Sequence, residues 1–228
     1  MAAPHILIVL TSHDQLGNTG HATGFWLEEL ACPYYIFLDA GATVTLASIQ
    51  GGQAPLDPKS HLDESQTDDT RRFLTDSAAQ DALANTIAID QVNAGDYDAI
   101  FMPGGHGTMW DFATSSTLSN LIADFDQQKK IISAVCHAPA GLVNVKTASG
   151  DPLVKGKLVT AFSNSEEKAV ELDTVVPFLL ETRLKELGAK FEAGPDWGPL
   201  AKQDGNLITG QNPASSEPAA KAVLAALS

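Results

Sequence analysis

The sequence is short of positive charge. It has 14 lysines and arginines against 28 aspartates and glutamates, a formal net charge of −14. Nucleic acids and anionic membranes are bound mainly through basic patches, so neither is expected as a partner. No apolar run approaches the roughly 20 residues that span a bilayer. The apolar run 5–10 is too short for a secretory signal and lacks a basic leader, which predicts a cytoplasmic protein.

Cysteine and ligand motifs are also scarce. Cys32 and Cys136 are the two cysteines, and no CxxC pair occurs, so a reducing compartment fits better than a disulfide framework. The six histidines are scattered without an HxxxH motif, and there is neither a GxGxxG motif nor a phosphate loop. We therefore predict no metal and no cofactor, and we interpret Cys32 as a structural residue.

What is present indicates one α/β domain over residues 1–228. Hydrophobic residues make up 44% of the chain and charged residues 18%, as in globular proteins. Short apolar runs without polar alternation predict strands buried on both faces, and they alternate with helical patterns, which predicts a parallel sheet between helices. Predicted strands are 6–10, 43–47, 99–102, 131–135, 157–162 and 207–209. The first predicted helix begins near Thr23. Three further helices are predicted over 118–128, 177–188 and 214–227.

Residues 50–81 differ from the rest of the chain. They are rich in Gly, Pro, Asp and Ser and hold few apolar residues. We interpret them as a long surface excursion with a weak helix around 69–79. A segment of this length is usually a lid, a partner surface or a mobile loop.

Cys136 lies where a predicted strand meets the beginning of a predicted helix. Pro139 suits a first helical turn, and the neighbouring alanines leave room for a bent backbone. This order is that of a nucleophile elbow, which exposes a side chain at the carboxyl edge of a sheet. A helix N-terminus favours the thiolate, and His137 places an imidazole beside it. The alternative is a structural cysteine next to a histidine satisfied by backbone groups.

A glycine-rich segment, 103–107, follows another predicted strand. Its loose backbone can direct amides into the crevice beyond the sheet, so we predict that Gly104, Gly105 and His106 form an oxyanion hole or bind substrate. The alternative is a turn that merely requires positive φ.

Two pairs of acids are candidate partners of the thiol and the imidazole. Glu29 lies about 100° from the apolar residue Leu30 on a helical wheel and Glu28 about 160°, so Glu29 is the better inward carboxyl. Beside a thiolate it would be protonated and could donate a hydrogen bond to sulfur. Glu166 or Glu167 could orient His137 in a Cys-His-acid triad. The alternative for each pair is an acid that favours a helix N-terminus.

Four segments occur in an order that resembles the ThiJ/PfpI superfamily, whose domains are class I glutamine-amidotransferase-like. They are TGFWLEE, FMPGGHGT, AVCHAPA and LITGQNPAS. The last segment and the long loop after the second strand resemble the chaperone and glyoxalase III branch. The resemblance implies a flavodoxin-like three-layer sandwich, a mostly parallel central sheet and homodimers.

The resemblance also implies roles for residues. It places the nucleophile on Cys136 with His137 beside it, and the acid of the first helix on Glu29. The third member of the triad falls within 163–167, where spacing favours Glu167 but leaves Glu166 open. The oxyanion donors fall on Gly105 and the amide of His137.

The reaction implied for that branch converts methylglyoxal and water to lactate without glutathione. Cys136 would attack the aldehyde. His137 would transfer a proton between the two carbons by way of an ene-diol, and Glu29 would accept and donate the thiol and hydroxyl protons. One alternative is amide or peptide hydrolysis by the same residues. Another is a holdase or an oxidation sensor in which Cys136 becomes a sulfinate. Amidotransferase action is least favoured because no synthase domain is fused to the chain.

Overall fold

A seven-stranded sheet forms the centre of the molecule. The computed structural model describes residues 3–228. The strand order is β3-β2-β1-β4-β5-β9-β8; β8 is antiparallel to β9, and the other neighbours are parallel. The strands of this sheet are His5–Leu10 (β1), Thr43–Ser48 (β2), Ile87–Ala88 (β3), Ala99–Met102 (β4), Ile131–Val135 (β5), Ala201–Asp204 (β8) and Leu207–Gly210 (β9).

Helices cover both faces of the sheet. They are Leu27–Asp39 (α1), Asp68–Thr75 (α2), Ser77–Ala84 (α3), Ser116–Gln127 (α4), Asn164–Ala169 (α5), Leu180–Glu186 (α6) and Ser216–Leu227 (α7). Residues of α1 and α7 join one apolar core, and residues of α4 and α6 join the other. Alternate residues of β1, such as Ile8 and Val9, belong to opposite cores. This explains the uninterrupted apolar runs and confirms the predicted three-layer flavodoxin-like fold.

Two predicted elements differ from those in the structure. The predicted strand 157–162 is reduced to Leu158–Val159 (β6), which pairs with Lys190–Phe191 (β7) in a separate two-stranded sheet. The place beside β5 is taken by β9 instead.

The first helix begins at Leu27 and not near Thr23. Phe25 donates a backbone hydrogen bond to the Pro55 carbonyl (2.9 Å) and forms a β-bridge with Leu56, so this stretch is extended. A long-range pairing overrides the local helical pattern here.

The segment 50–81 packs against α1. It contains α2, the first residues of α3 and two short 3-10 helices, Pro58–His61 and Asp63–Ser65. Phe73 is fully buried and makes edge-to-face contacts with Tyr34 and Tyr35. The segment is therefore well packed against the rest of the domain, beside the loop that follows β1.

The strand order places a crevice at the carboxyl ends of β1, β4 and β5. From β1 the chain proceeds to β2 on one side, whereas β4 lies on the other, so the loops after β1 and β4 diverge. Ligands of open α/β sheets bind at such a point. Within residues 3–228, no helix combines the length and the apolar character required to cross a membrane.

Candidate active site

Cys136 occupies a strained turn at the end of β5. Its φ is +60°, a left-handed value that costs a non-glycine residue roughly 1 kcal/mol or more. Two backbone hydrogen bonds of 2.9 Å hold it there: its amide donates to the Gly210 carbonyl, and its carbonyl accepts from the Phe162 amide. The predicted elbow is thus held from two sides, and the residue is 4% exposed.

The structure brings Cys136, His137 and Glu167 into one chain of contacts. Cys136 Sγ lies 3.3 Å from His137 Nδ1, and His137 Nε2 lies 2.7 Å from Glu167 Oε2. Glu167 is in the first turn of α5, whose N-cap is Ser163. This is the geometry of a Cys-His-acid triad.

Glu166 is buried but turned to different partners. Its Oε2 accepts from the Ser163 amide (2.9 Å) within a capping box. Its Oε1 accepts from the Trp197 amide (2.9 Å) and from Asn212 Nδ2 (2.8 Å). Glu166 therefore joins α5 to the segments at Trp197 and Asn212 and makes no hydrogen bond to His137.

Glu167 is shared between two histidines. Its Oε1 lies 2.8 Å from His106 Nε2, and the His106 and His137 ring centroids are 4.0 Å apart. Burial alone would raise the pKa of Glu167, but its interactions with His137 and His106 lower it well below its usual range. The carboxyl is thus ionised at neutral pH. Burial lowers the pKa of His137, and His106 lowers it further, so His137 is neutral in the resting site.

Glu29 reaches the thiol from α1. It is fully buried, and its Oε2 accepts a 2.7 Å hydrogen bond from the Gly104 amide. Its Oε1 has no nitrogen or oxygen partner among residues 3–228. Burial raises the pKa of Glu29 to about 8, although its interactions with Cys136 and Gly104 oppose the shift. Glu29 is therefore predominantly protonated at neutral pH.

The expected thiolate is not the resting form. Burial raises the pKa of the Cys136 thiol well above its usual value, and the charge of Glu29 adds to the shift. The segment after the elbow is a five-residue 3-10 helix, Ala138–Leu142, and not an α-helix with a substantial dipole. Desolvation therefore outweighs the dipole, and sulfur carries a proton until a partner removes it.

The glycine-rich segment lies against the elbow. Gly105 has φ +100°, and its amide donates toward the Cys136 sulfur. The Gly104 amide is already engaged by Glu29, and a side chain at Gly104 would lie 2.8 Å from both that carboxyl and the His137 amide. The His137 amide itself makes no hydrogen bond within the described chain. Gly105 and His137 thus present two backbone donors beside the sulfur.

A cavity of about 380 Å³ leads to this cluster. It reaches His106 and is lined by residues from the loop after β1, from the 50–81 segment and from the end of α5: among them are Leu16, Trp26, Asp57, Lys59, Val170 and Leu172. His106 lines this cavity, whereas the buried Cys136 does not.

A larger groove of about 480 Å³ lies elsewhere, at Lys129, Ser149, Lys157 and Asn206. It is a shallower depression, and neither His106 nor any residue of the triad lines it, whereas His106 lines the smaller cavity. Chemistry therefore favours the smaller cavity as the reactive site.

His106, His137 and Glu167 could also hold a metal ion. Each offers one ligand atom, and the three atoms lie within 4.8 Å of one another. Two imidazoles and a carboxylate are a donor set that suits divalent transition metals. The scattered histidines give no sign of this arrangement, because the three residues come from segments that are far apart in the chain.

Sequence reasoning missed two features of the site. His106 was assigned to substrate binding, but its hydrogen bond to Glu167 was not foreseen. Phe162 was not considered, although its ring lies 4.3 Å from that of His137 and 6.1 Å from that of His106. An aromatic residue at the carboxyl end of an apolar run, just before the Ser163 cap, is the signal that could have indicated it.

Comparison with known protein families agrees with the resemblance found in the sequence. The model of the DJ-1/PfpI family matches residues 21–226. The chain belongs to the DJ-1/PfpI family.

Three individual proteins illustrate the similarity within this family. The chain is 32% identical to the glutathione-independent glyoxalase HSP31 of Saccharomyces cerevisiae, covering 95% of this chain and 94% of that protein. It resembles the crystal structure of glyoxalase III from Candida albicans with a TM-score of 0.91 at 27% identity, covering 98% and 97% of the two chains. The rapid encystment protein of 24 kDa from Francisella tularensis matches with a TM-score of 0.95 at 41% identity, covering 99% of each chain.

Proposed function

We propose that this protein is a glutathione-independent glyoxalase that converts methylglyoxal, or another small 2-oxoaldehyde, and water to the 2-hydroxy acid. The relationship that carries the proposal is a buried cysteine flanked by a neutral base and a neutral acid. His137 Nδ1 lies 3.3 Å from Sγ, and the protonated Glu29 interacts with the same sulfur. Names of relatives at 27% and 32% identity support the same activity.

In the first step Cys136 adds to the aldehyde carbon. The new C–S bond uses an electron pair of sulfur, and the carbonyl oxygen takes up the negative charge. Glu29 gives its proton to that oxygen and receives the thiol proton in exchange, with His137 as the transient acceptor. The Gly105 and His137 amides stabilise the oxyanion. The product is a hemithioacetal, and no net charge has entered the buried site.

The second step moves two protons between neighbouring carbons and oxygens. His137 removes the hydrogen on C1 and returns it to C2, by way of an ene-diol. Glu29 carries the hydroxyl proton from O1 to O2. Glu167 accepts the Nε2–H of His137 and stabilises the imidazolium that forms during the transfer. The result is a lactoyl thioester on Cys136, which water hydrolyses.

Peptide hydrolysis is less well supported. Cys136 is 4% exposed and does not line the cavity, whereas an extended peptide requires an open groove beside the nucleophile. A three-carbon aldehyde needs only a fraction of the 380 Å³ available.

The non-enzymatic alternatives have weaker support. An oxidation sensor needs an accessible thiol of low pKa, but burial raises the pKa of Cys136. A holdase needs a broad apolar surface, and four large hydrophobic residues are exposed in the described chain, on separate elements: Leu38, Leu62, Ile87 and Trp197.

The test is lactate formation from methylglyoxal by the purified protein without glutathione. Cys136→Ala should abolish it, whereas Cys32→Ala, which removes a buried thiol outside the site, should not. Glu29→Gln should reduce it by about 10²-fold or more, and Glu28→Gln should retain most of it. Lactate production by Cys136→Ala at the wild-type rate would contradict the proposal.

We further propose a cytoplasmic homodimer. A buried free thiol in the reactive site is compatible with a reducing compartment. Sedimentation equilibrium of the purified protein tests the oligomeric state, and a single species of monomer mass would contradict a dimer.

A further inference from the structure

Glu167 orients two imidazoles, and the mechanism above uses one of them. Glu167 places one carboxylate oxygen 2.8 Å from His106 Nε2 and the other 2.7 Å from His137 Nε2, and because a carboxylate oxygen accepts hydrogen bonds, each Nε2 carries the hydrogen. In a neutral imidazole the other nitrogen is then an acceptor. Nδ1 is therefore the nitrogen of each ring that can act as a base.

The two bases lie in different surroundings. His137 Nδ1 lies beside sulfur, and its side chain is 1% exposed. The His106 side chain is 13% exposed and borders the cavity, and its Nδ1 makes no hydrogen bond with residues 3–228. Water that enters through the cavity meets His106 first. The His106 ring centroid lies 4.0 Å from that of His137, whose Nδ1 lies 3.3 Å from the sulfur, so His106 is adjacent to the imidazole that contacts Cys136.

We propose that His106 is the general base of the second half-reaction and activates the water that hydrolyses the thioester. The inference rests on the proposed function, because it needs the lactoyl thioester as an intermediate. The two imidazoles then have different roles. His137 exchanges protons with the thiol and the substrate carbons in the isomerisation, and His106 accepts a proton from water in the hydrolysis. Glu167 fixes the tautomer of each.

Hydrolysis of the thioester consumes one water molecule. The water oxygen forms a bond to the thioester carbon while one water proton passes to His106 Nδ1. The C–S bond then breaks, and its electron pair stays on sulfur. Glu29 protonates the thiolate and recovers a proton from the newly formed carboxylic acid. His106 releases its proton to solvent through the cavity, so that lactate, one proton and the free thiol remain.

The decisive variant is His106→Gln. The glutamine amide can still donate a hydrogen bond to Glu167, but it offers no imidazole base. The matched control is His61→Gln, which removes an exposed imidazole on the 50–81 segment, away from the cavity lining. Each protein is mixed with methylglyoxal, and lactate is measured over time. Quenched samples are examined by intact-mass spectrometry and treated with hydroxylamine.

We expect His106→Gln to lose about 10²- to 10³-fold in steady-state turnover while the covalent adduct accumulates to one per chain. Hydroxylamine should release lactohydroxamic acid from that adduct, which distinguishes a thioester from a reversible hemithioacetal of the same mass. Wild type and His61→Gln should show turnover and little adduct. A merely structural role of His106 would lower turnover without accumulation of thioester.

Two results would overturn the inference. If His106→Gln turned over like wild type, water would need no base at this position. If it lost turnover without a hydroxylamine-sensitive adduct, His106 would act in a step before the thioester forms. Failure of the proposed function looks different, because wild type itself would then form no lactate.

Discussion

Glu166 and Glu167 are neighbours in the first turn of α5, yet their carboxylates share no hydrogen-bond partner. Glu166 accepts from Ser163, Trp197 and Asn212, whereas Glu167 lies between the imidazoles of His106 and His137. One carboxylate therefore stabilises the fold around the site, and the other orients the groups that we propose to react.

Exchange of each acid for glutamine should separate these two effects. Glu167→Gln places an amide N–H against one of the imidazoles, and that imidazole must then carry its hydrogen on Nδ1. The base facing either sulfur or water is lost, so we expect turnover to fall by about 10²- to 10⁴-fold with little change in thermal stability.

Glu166→Gln should show the reverse pattern. The NH₂ group of the glutamine must face either the Ser163 amide or the N–H groups of Trp197 and Asn212. On that side two hydrogen-bond donors then point at each other without an acceptor. We expect a loss of about 1–3 kcal/mol in the free energy of unfolding, measured by urea denaturation, and substantial residual activity. Equal activity losses in the two variants, with equal stabilities, would contradict this division.

The buried acid Glu29 should make stability depend on pH. Because folding raises the pKa of Glu29 from 4.5 to about 8, the folded state loses stability relative to the unfolded state as pH rises through that range, and the loss is complete above about pH 8. Glu29→Gln should therefore gain stability over wild type, on the order of a few kcal/mol at pH 9 and little at pH 4.

Glu28 provides the control for that experiment. Burial raises the pKa of Glu28 to about 7, while its hydrogen bond with Thr67 acts in the opposite direction. The stability gain of Glu28→Gln should accordingly be complete about one pH unit earlier, and it should be smaller because this carboxyl is partly exposed. Urea unfolding at several pH values measures both variants. A pH-independent difference between Glu29→Gln and wild type would show that the carboxyl ionises freely.

The Cys136 thiol should react slowly with alkylating agents in the resting protein. Burial raises its pKa, so little thiolate is present at pH 7, and ionisation of Glu29 at higher pH raises the pKa further. Above pH 8, where Glu29 is ionised, Glu29→Gln should speed alkylation of Cys136 by iodoacetamide because it removes a nearby negative charge. Peptide mapping of the labelled cysteine follows the rate. Faster labelling of wild type than of the variant at pH 9 would contradict the assigned charge effect.

Gly105 should tolerate no side chain. Its φ is +100°, and a Cβ would lie 2.3 Å from the Gly24 carbonyl oxygen and 2.7 Å from the Trp26 amide. Since both neighbours are backbone atoms, we expect Gly105→Ala to cost about 3 kcal/mol or more in the free energy of unfolding. Gly41→Ala is the control, because Gly41 has a similar φ of +85° with open space around it, and it should cost about 1 kcal/mol. Similar losses in both variants would exclude the steric explanation.

The parts of the site that the sequence could indicate are local in the chain. The run at 131–135 followed by Cys136 predicts the elbow from adjacent residues, and the helical wheel of α1 selects Glu29 over Glu28. The parts that it could not indicate depend on pairing between distant segments. His106 and Glu167 lie far apart in the chain, and no period or spacing connects a loop after β4 with the first turn of α5.

The same distinction explains the differences in the fold. Four apolar residues were enough to predict β4 with its observed bounds, because a strand buried on both faces is apolar throughout. The beginning of α1 was misplaced because Phe25 pairs with Pro55, far along the chain. The short β6 differs for a similar reason, because β9, nearly fifty residues later, takes the place beside β5.

The position of β4 between β1 and β5 has a consequence for biosynthesis. Glu29 emerges from the ribosome well before Gly104, whose amide holds its carboxyl, and Cys136 emerges before Glu167. A nascent chain that has just exposed Cys136 therefore lacks the carboxylate that orients His137 and the carbonyl of Gly210 that holds the elbow. Under the mechanism that we propose, turnover should begin only after translation has passed β9.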